Sequence, residues 1–303
     1  MYKILALDGG GLRSAFQARM IERIEEKLGR SISADLYAGT SGGAIVAAGL
    51  QIKSPGEIVE FFLTEGEKIF KPDNFIDDLE DLFDLTGARY DNKYLKKYFQ
   101  SNFGDMVLGD FQKKILITSF ALLGKEGWEP AVFHNFDSPK ASKNLLVVDA
   151  LCATSAAPTF FPVYQIPEKE NKYIDGGVWG NNPSASALAA VCDKLVGNQP
   201  MNRISILSIG TGKNPSSLRG SKKDLGAYDW LTKGIIDILL DGNIEASHYY
   251  CRSFLGPSYH RVQPLLANAI SIDDPKSAER MIDLANSIDL EPILSWMQGF
   301  WSL

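Results

Sequence analysis

The sequence predicts an α/β domain of three layers, α/β/α, with helices on both faces of a mostly parallel central sheet. Three observations lead there: short apolar runs of strand length recur along the chain, segments of helical period separate them, and glycine-rich turns stand where one gives way to the other. A chain of 303 residues that is 45% hydrophobic can fill one sizeable core. No internal repeat, low-complexity tract or linker divides it, so a single domain over residues 1–303 is expected, with 214–303 as its helix-rich C-terminal part.

Taken in order, residues 3–7 (KILAL) read as a buried strand that runs straight into Asp8-Gly9-Gly10-Gly11. Phe16, Met20, Ile24 and Leu28 then recur at helical spacing until Gly29 supplies a stop. A second strand over 36–38 leads through Gly39-Thr40-Ser41-Gly42-Gly43 into the helical run that starts at Ala44. Ser54-Pro55-Gly56-Glu57 has the form of a capping box with proline at the first helical position. The stretch 58–98 is dense in aromatics and acids, including Phe75, Leu79, Leu82 and Phe83, and is a candidate acyl-chain wall or lid, with ordinary core as the plainer reading. Strands are expected over 115–123, 131–133, 173–174 and 203–209, and helices over 144–153 and 184–195. Beyond Lys213 the pattern is helical, with its densest apolar cluster at 235–240, a second candidate for lipid or subunit contact.

Composition excludes several classes. A net charge of -6 argues against a body that neutralises nucleic-acid phosphates, and equally against polybasic attachment to an anionic membrane. Three dispersed cysteines, Cys152, Cys192 and Cys251, offer neither metal-ligand spacing nor a disulfide framework, and read as buried thiols in a reducing compartment. No apolar run approaches the length of a membrane span. The expectation is a cytoplasmic protein without metal or other cofactor.

The chemistry concentrates in the glycine turns. Gly39-Thr40-Ser41-Gly42-Gly43 fits G-x-S-x-G, a tight strand-to-helix turn that lifts a serine hydroxyl above the sheet edge. An incidental serine in a glycine-rich turn fits the same letters. Gly9, Gly10 and Gly11 open a helix, so their amides can face a developing oxyanion, and Arg13 can add positive charge or hold a phosphate head group. The same loop also admits a dinucleotide- or phosphate-binding reading, with acidic Asp35 about twenty residues on, although Ser14 stands where that fingerprint wants its last small residue, usually glycine. A serine nucleophile needs a base, and His134, His248 and His260 are the only histidines, none of them in a glycine-bounded loop. Asp175 ends an expected strand and is followed by two glycines, the setting of a base held close to its partner or of an ordinary Asp-Gly turn.

Five blocks, in order, resemble those of the patatin-like phospholipases. They are Asp8-Gly9-Gly10-Gly11-Leu12-Arg13, Gly39-Thr40-Ser41-Gly42-Gly43, the run from Ala153 to Pro162, Asp175-Gly176-Gly177-Val178-Trp179, and Ser208-Ile209-Gly210-Thr211-Gly212. The resemblance spans residues 5–213. It implies the patatin-like fold and a Ser41–Asp175 dyad in place of a triad. It further implies an oxyanion hole from Gly9, Gly10 and Gly11 beside Arg13, and calcium-independent cleavage of phospholipid or lysophospholipid esters through an acyl-enzyme at a transiently contacted membrane. Ser14 departs from the family's usual glycine, a change expected to alter packing more than activity. Bacterial proteins resembling this family include membrane-degrading effectors switched on by a cyclic nucleotide or a protein partner, which is the alternative kept here. A Ser41–Asp175–histidine triad using His248 or His260 is the rival mechanism, and the oligomeric state is left open.

Overall fold

The computed structural model describes residues 1–71, 87–124, 127–167, 169–215, 226 and 235–301, and side chains from 238 onward in the last stretch. Phe75, Leu79, Leu82 and Phe83 lie outside the described residues, as do the side chains of Ile235 and Ile236.

The strand runs along the chain are β1 (Tyr2–Leu7), β2 (Leu36–Thr40), β3 (Lys114–Gly124), β4 (Gly127–His134), β5 (Tyr164–Gln165), β6 (Lys172–Asp175), β7 (Ile204–Ile209) and β8 (Tyr259–Val262). They form one sheet in the order β5-β6-β3-β2-β1-β7-β8, with β4 paired to β3. Strands β3, β2, β1, β7 and β8 are mutually parallel, while β4, β5 and β6 join antiparallel. From β1 the chain builds outward to β2 and β3 on one side and to β7 and β8 on the other, so the strand order reverses at β1, the switch point at whose carboxyl end ligands bind in open α/β sheets.

The helices are α1 (Ala15–Leu28), α2 (Gly42–Gly49), α3 (Pro55–Ile69), α4 (Lys93–Phe103), α5 (Val147–Thr154), α6 (Gly177–Gly180), α7 (Ser184–Cys192), α8 (Ile235–Leu255), α9 (Lys276–Ser287) and α10 (Glu291–Phe300). The alternation of strand side chains sorts them into two layers. Leu5 and Leu7 of β1 belong to a core built with α1, α2, α3, α4, α5, α9 and α10, whereas Ile4 and Ala6 face a smaller core with α7 and α8. All four are fully buried, each contributing on the order of 2 kcal/mol, alanine less. That is the expected three-layer α/β/α arrangement. The segment after 213 is woven into it: β8 extends the sheet, and Arg23 of α1 donates to the Ile288 carbonyl beyond α9 at 2.9 Å.

Local signals act as read. Gly29 ends α1 at φ 64°, and Ser54 and Glu57 close a reciprocal capping box at the start of α3. Three expectations need correction. The helix expected from Asn144 begins at Val147, because the Leu145 carbonyl accepts from Leu108 and Leu146 bridges Val107, which keeps that stretch extended. The helix expected to reach Leu195 ends at Cys192, where Asp193 turns extended and its carboxylate accepts from the Leu195 N–H. Cys152 and Cys251 are buried thiols, but Cys192 is only half-buried.

Several apolar side chains in the described parts of the 58–98 stretch belong to the core. Ile58, Phe61, Phe62, Ile69 and Tyr90 are buried, with aromatic contacts linking Phe61 to Tyr98 and Tyr90 to Phe161.

Candidate active site

Strand β2 ends at Thr40 and α2 begins at Gly42, so one residue must reverse the chain. Ser41 does so with φ 51° and ψ -125°, a strained conformation for a residue with a side chain. Such strain costs about 1–3 kcal/mol and persists only where the surroundings enforce it. Here Ser41 N–H donates to Thr154 Oγ1 at 2.9 Å, and Thr154 in turn donates to the Thr118 carbonyl at 2.6 Å. The flanking glycines have no room for side chains: a Cβ on Gly39 would stand 2.5 Å from Ala44 Cα, and one on Gly43 would stand 2.3 Å from the Leu7 carbonyl oxygen.

Asp175 closes β6, paired in register with Ser119, and is 6% exposed. Its carboxylate accepts from the Gly177 N–H at 2.7 Å, and the Ser41 hydroxyl lies near enough to favour its ionised form. Burial pushes its pKa up to about 6, with the Gly177 N–H and the nearby Ser41 hydroxyl pulling the other way. A carboxylate free in water, with a pKa of about 3.9, is a poor base toward a hydroxyl, so this burial makes it a more useful one. The two residues singled out in the sequence, 134 positions apart, therefore stand close together in the fold.

The N-terminal glycine loop packs against them. A Cβ on Gly9 would lie 3.4 Å from Ser41 Cβ, and one on Gly42 would lie 2.7 Å from the Gly11 carbonyl oxygen and 3.2 Å from its amide nitrogen. Gly9 itself is an anchor: its N–H donates to the Asn181 carbonyl at 2.9 Å, and its carbonyl accepts from Asn181 Nδ2 and from Thr211 Oγ1. That removes Gly9 N–H from the donors expected for an oxyanion. The amides of Gly10 and Gly11 have no acceptor among the described residues. Arg13 stands in the short turn that follows, where its charge reaches Asp8. Ser14, fully buried, lays its hydroxyl against Gly42, without a hydrogen-bond partner among the described residues.

Four bracing residues had no signal in the sequence strong enough to find them. Thr154 lies inside a recognised block and Asn181 two residues past one, but their partners are distant in the chain. Asn243 of α8 donates to the Gly177 carbonyl at 2.8 Å and accepts from the Asn181 N–H at 3.1 Å. Arg261 of β8 makes a two-pronged ion pair with Asp8, one arm at 2.7 Å, and donates to Ser208 Oγ. Burial would lower the arginine's pKa, but the charge and hydrogen bonds of Asp8 hold it above its ordinary value. Both Asn243 and Arg261 come from the segment that carried no motif.

The histidines stand apart from this site. His134 Nδ1 accepts from the Phe136 N–H, His248 pairs with the Tyr259 hydroxyl, and His260 packs on the Trp296 ring. Burial lowers the pKa of all three. Asp35, the acidic residue a dinucleotide site would need, accepts from the Lys3 N–H at the amino end of β1, the opposite edge of the sheet from the glycine loop. No group of three or more potential metal ligands occurs among the described residues, and no helix among them is long and apolar enough to cross a membrane.

The chain is similar to known proteins over most of its length. A family model described as "Patatin-like phospholipase" matches residues 5–188. A protein of Pseudomonas aeruginosa named "cGAMP-activated phospholipase" is 30% identical over 86% of this chain and 78% of its own length. "Protein teg" of Priestia megaterium is 27% identical over 99% of both chains, and "Patatin-like protein 2" of Arabidopsis thaliana is 28% identical over 80% of this chain and 69% of its own.

Proposed function

The chain belongs to the patatin-like phospholipase family, and from that premise we propose that it is a calcium-independent acyl hydrolase of phospholipids or lysophospholipids working through a Ser41–Asp175 dyad. The observation that carries this reading is a strained serine whose hydroxyl lies beside a buried carboxylate of raised pKa. Ser41 Oγ attacks the ester carbonyl as Asp175 takes its proton. The amides of Gly10 and Gly11 receive the oxyanion, and the alcohol leaves with the proton returned by Asp175. Water then enters, loses a proton to the same carboxylate and attacks the acyl carbonyl, and Asp175 returns that proton to Ser41 Oγ as the fatty acid leaves. The histidines take no part.

The sign of the pH dependence follows from the base. Asp175 acts only when ionised, so kcat/KM rises with pH through about 6 to a plateau and falls about tenfold per unit on the acid side. Release of fatty acid from phosphatidylcholine and lysophosphatidylcholine in excess EDTA, followed from about pH 4 to 9, tests both features. Loss of activity in EDTA, or a rate independent of pH across this range, would contradict them.

Activation by a cyclic nucleotide is the second reading, prompted by the name of the Pseudomonas relative and by the reach of Asn243 from α8 to the Asp175 loop. A purified protein idle on lipid until a cyclic dinucleotide is added would support it.

A further inference from the structure

We infer that Asn243 is a positioning residue for the reaction: one side chain ties the turn that orients Asp175 to the glycine loop that presents the oxyanion donors. This rests on the dyad reading of the site and adds to it a residue from outside the five motif blocks.

The two arms of the amide reach different halves of the site. Asn243 Nδ2 donates to the Gly177 carbonyl at 2.8 Å, and Asn243 Oδ1 accepts from the Asn181 N–H at 3.1 Å. Gly177 is the residue whose own N–H donates to the Asp175 carboxylate at 2.7 Å, so the first arm fixes the residue that orients the base. Asn181 holds Gly9 twice, its carbonyl accepting from the Gly9 N–H at 2.9 Å and its Nδ2 donating to the Gly9 carbonyl at 3.3 Å. The second arm therefore fixes the residue that anchors the loop, and Gly10 and Gly11 follow Gly9 directly.

The choice of an amide follows from what it joins. In an α-helix the Gly177 carbonyl would accept from the N–H four residues on, that of Asn181. Asn243 supplies a partner to each of these two groups, which needs a donor and an acceptor on one short side chain. α6, Gly177–Gly180, is a single turn and cannot hold its own shape. Its far end is fastened to the sheet, where the Gly180 carbonyl accepts from Thr40 Oγ1 and Trp179 Nε1 donates to the Ser119 carbonyl, both at 2.7 Å. The Gly177 carbonyl and the Asn181 N–H are held instead by α8. Without Asn243 they are free to bond to each other, which would draw Gly177 away from Asp175 and Asn181 away from Gly9.

The pH profile separates positioning from mere support of the fold. Burial raises the pKa of Asp175, the Ser41 hydroxyl and the Gly177 N–H lower it, and no neighbouring charge contributes. A Gly177 that swings away leaves the ionised carboxylate less favoured, so the acid limb of kcat/KM should move up. The test compares wild type, Asn243→Ala, Asn243→Asp and Tyr249→Ser on a soluble short-chain ester from about pH 4 to 9, with thermal unfolding of each. Alanine is the best helix former, so Asn243→Ala should stay folded. Its acid limb is expected to rise by about half a unit to one unit and its plateau kcat to fall about tenfold, with KM unchanged because Asn243 does not touch the ester. Asn243→Asp keeps only the acceptor arm, so its limb should rise as well while its plateau stays within about threefold of wild type. Tyr249, exposed on the same helix, should be replaceable without effect. An acid limb that stays in place in Asn243→Ala and Asn243→Asp, or a plateau that falls equally in both, would overturn the assignment. A wild type that cleaves no ester would overturn the dyad reading instead.

Discussion

Replacing Ser41 with alanine is expected to lower phospholipid hydrolysis by about four orders of magnitude, and Asp175→Asn by a comparable factor, because the two act as one unit. Both proteins should fold, and Asp175→Asn should be the more stable of wild type and variant. The reason is linkage. A carboxyl whose folded pKa is about 6 binds more protons in the folded state than in the unfolded one, so stability falls as pH rises from near 4 to near 6, and the full penalty is present above that. Two pKa units correspond to roughly 3 kcal/mol, of which asparagine should recover part, since its amide oxygen can still accept from the Gly177 N–H. Thermal unfolding at about pH 8 checks this: a midpoint a few degrees above wild type is expected, and the two midpoints should converge toward pH 4. An Asp175→Asn protein that hydrolyses lipid at the wild-type rate would remove the carboxylate from the mechanism.

Arg261→Met is expected to be the most damaging substitution outside the dyad. It leaves Asp8 buried without its countercharge, at a cost of about 3–5 kcal/mol. Because Asp8 immediately precedes the Gly9 anchor, the loop that presents the Gly10 and Gly11 amides should shift as well, so that activity falls even where the protein remains folded. Arg261→Lys keeps the charge but cannot make two parallel bonds, and should fall between. Urea unfolding of Arg261→Met, Asp8→Asn and the double variant reads the coupling directly. The double variant should lose less than the sum of the two single changes, and strict additivity would show that the pair does not act as a pair.

The strand-turn-helix units around Asp8 and Ser41 were legible because each signal is local. A strand needs an apolar run, a sharp turn needs glycine, and a helix needs its period, all within a dozen residues. Asp175 stood out as the end of a strand before two glycines, but local signals fitted an ordinary Asp-Gly turn equally, and only the family resemblance gave it the role of base. What escaped was set by contacts between distant segments. Nothing near Arg261 marks it as the partner of Asp8, since β8 is a four-residue strand, Tyr259–Val262, whose alternation of apolar and charged residues is too short to read. Asn243 sits inside a helix and acts only because α8 passes over the Asp175 loop. Gly9 was expected to donate to an oxyanion, and only the folded chain places the Asn181 carbonyl opposite its amide.

Covalent trapping addresses the Ser41–Asp175 dyad most directly. Wild-type protein treated with a fluorophosphonate and mapped by mass spectrometry should carry the phosphonyl group on Ser41, with labelling absent in Ser41→Ala and slowed at least about a hundredfold in Asp175→Asn. A label on another serine that tracks the loss of activity, or full-rate labelling of Ser41 without the Asp175 carboxylate, would contradict the dyad.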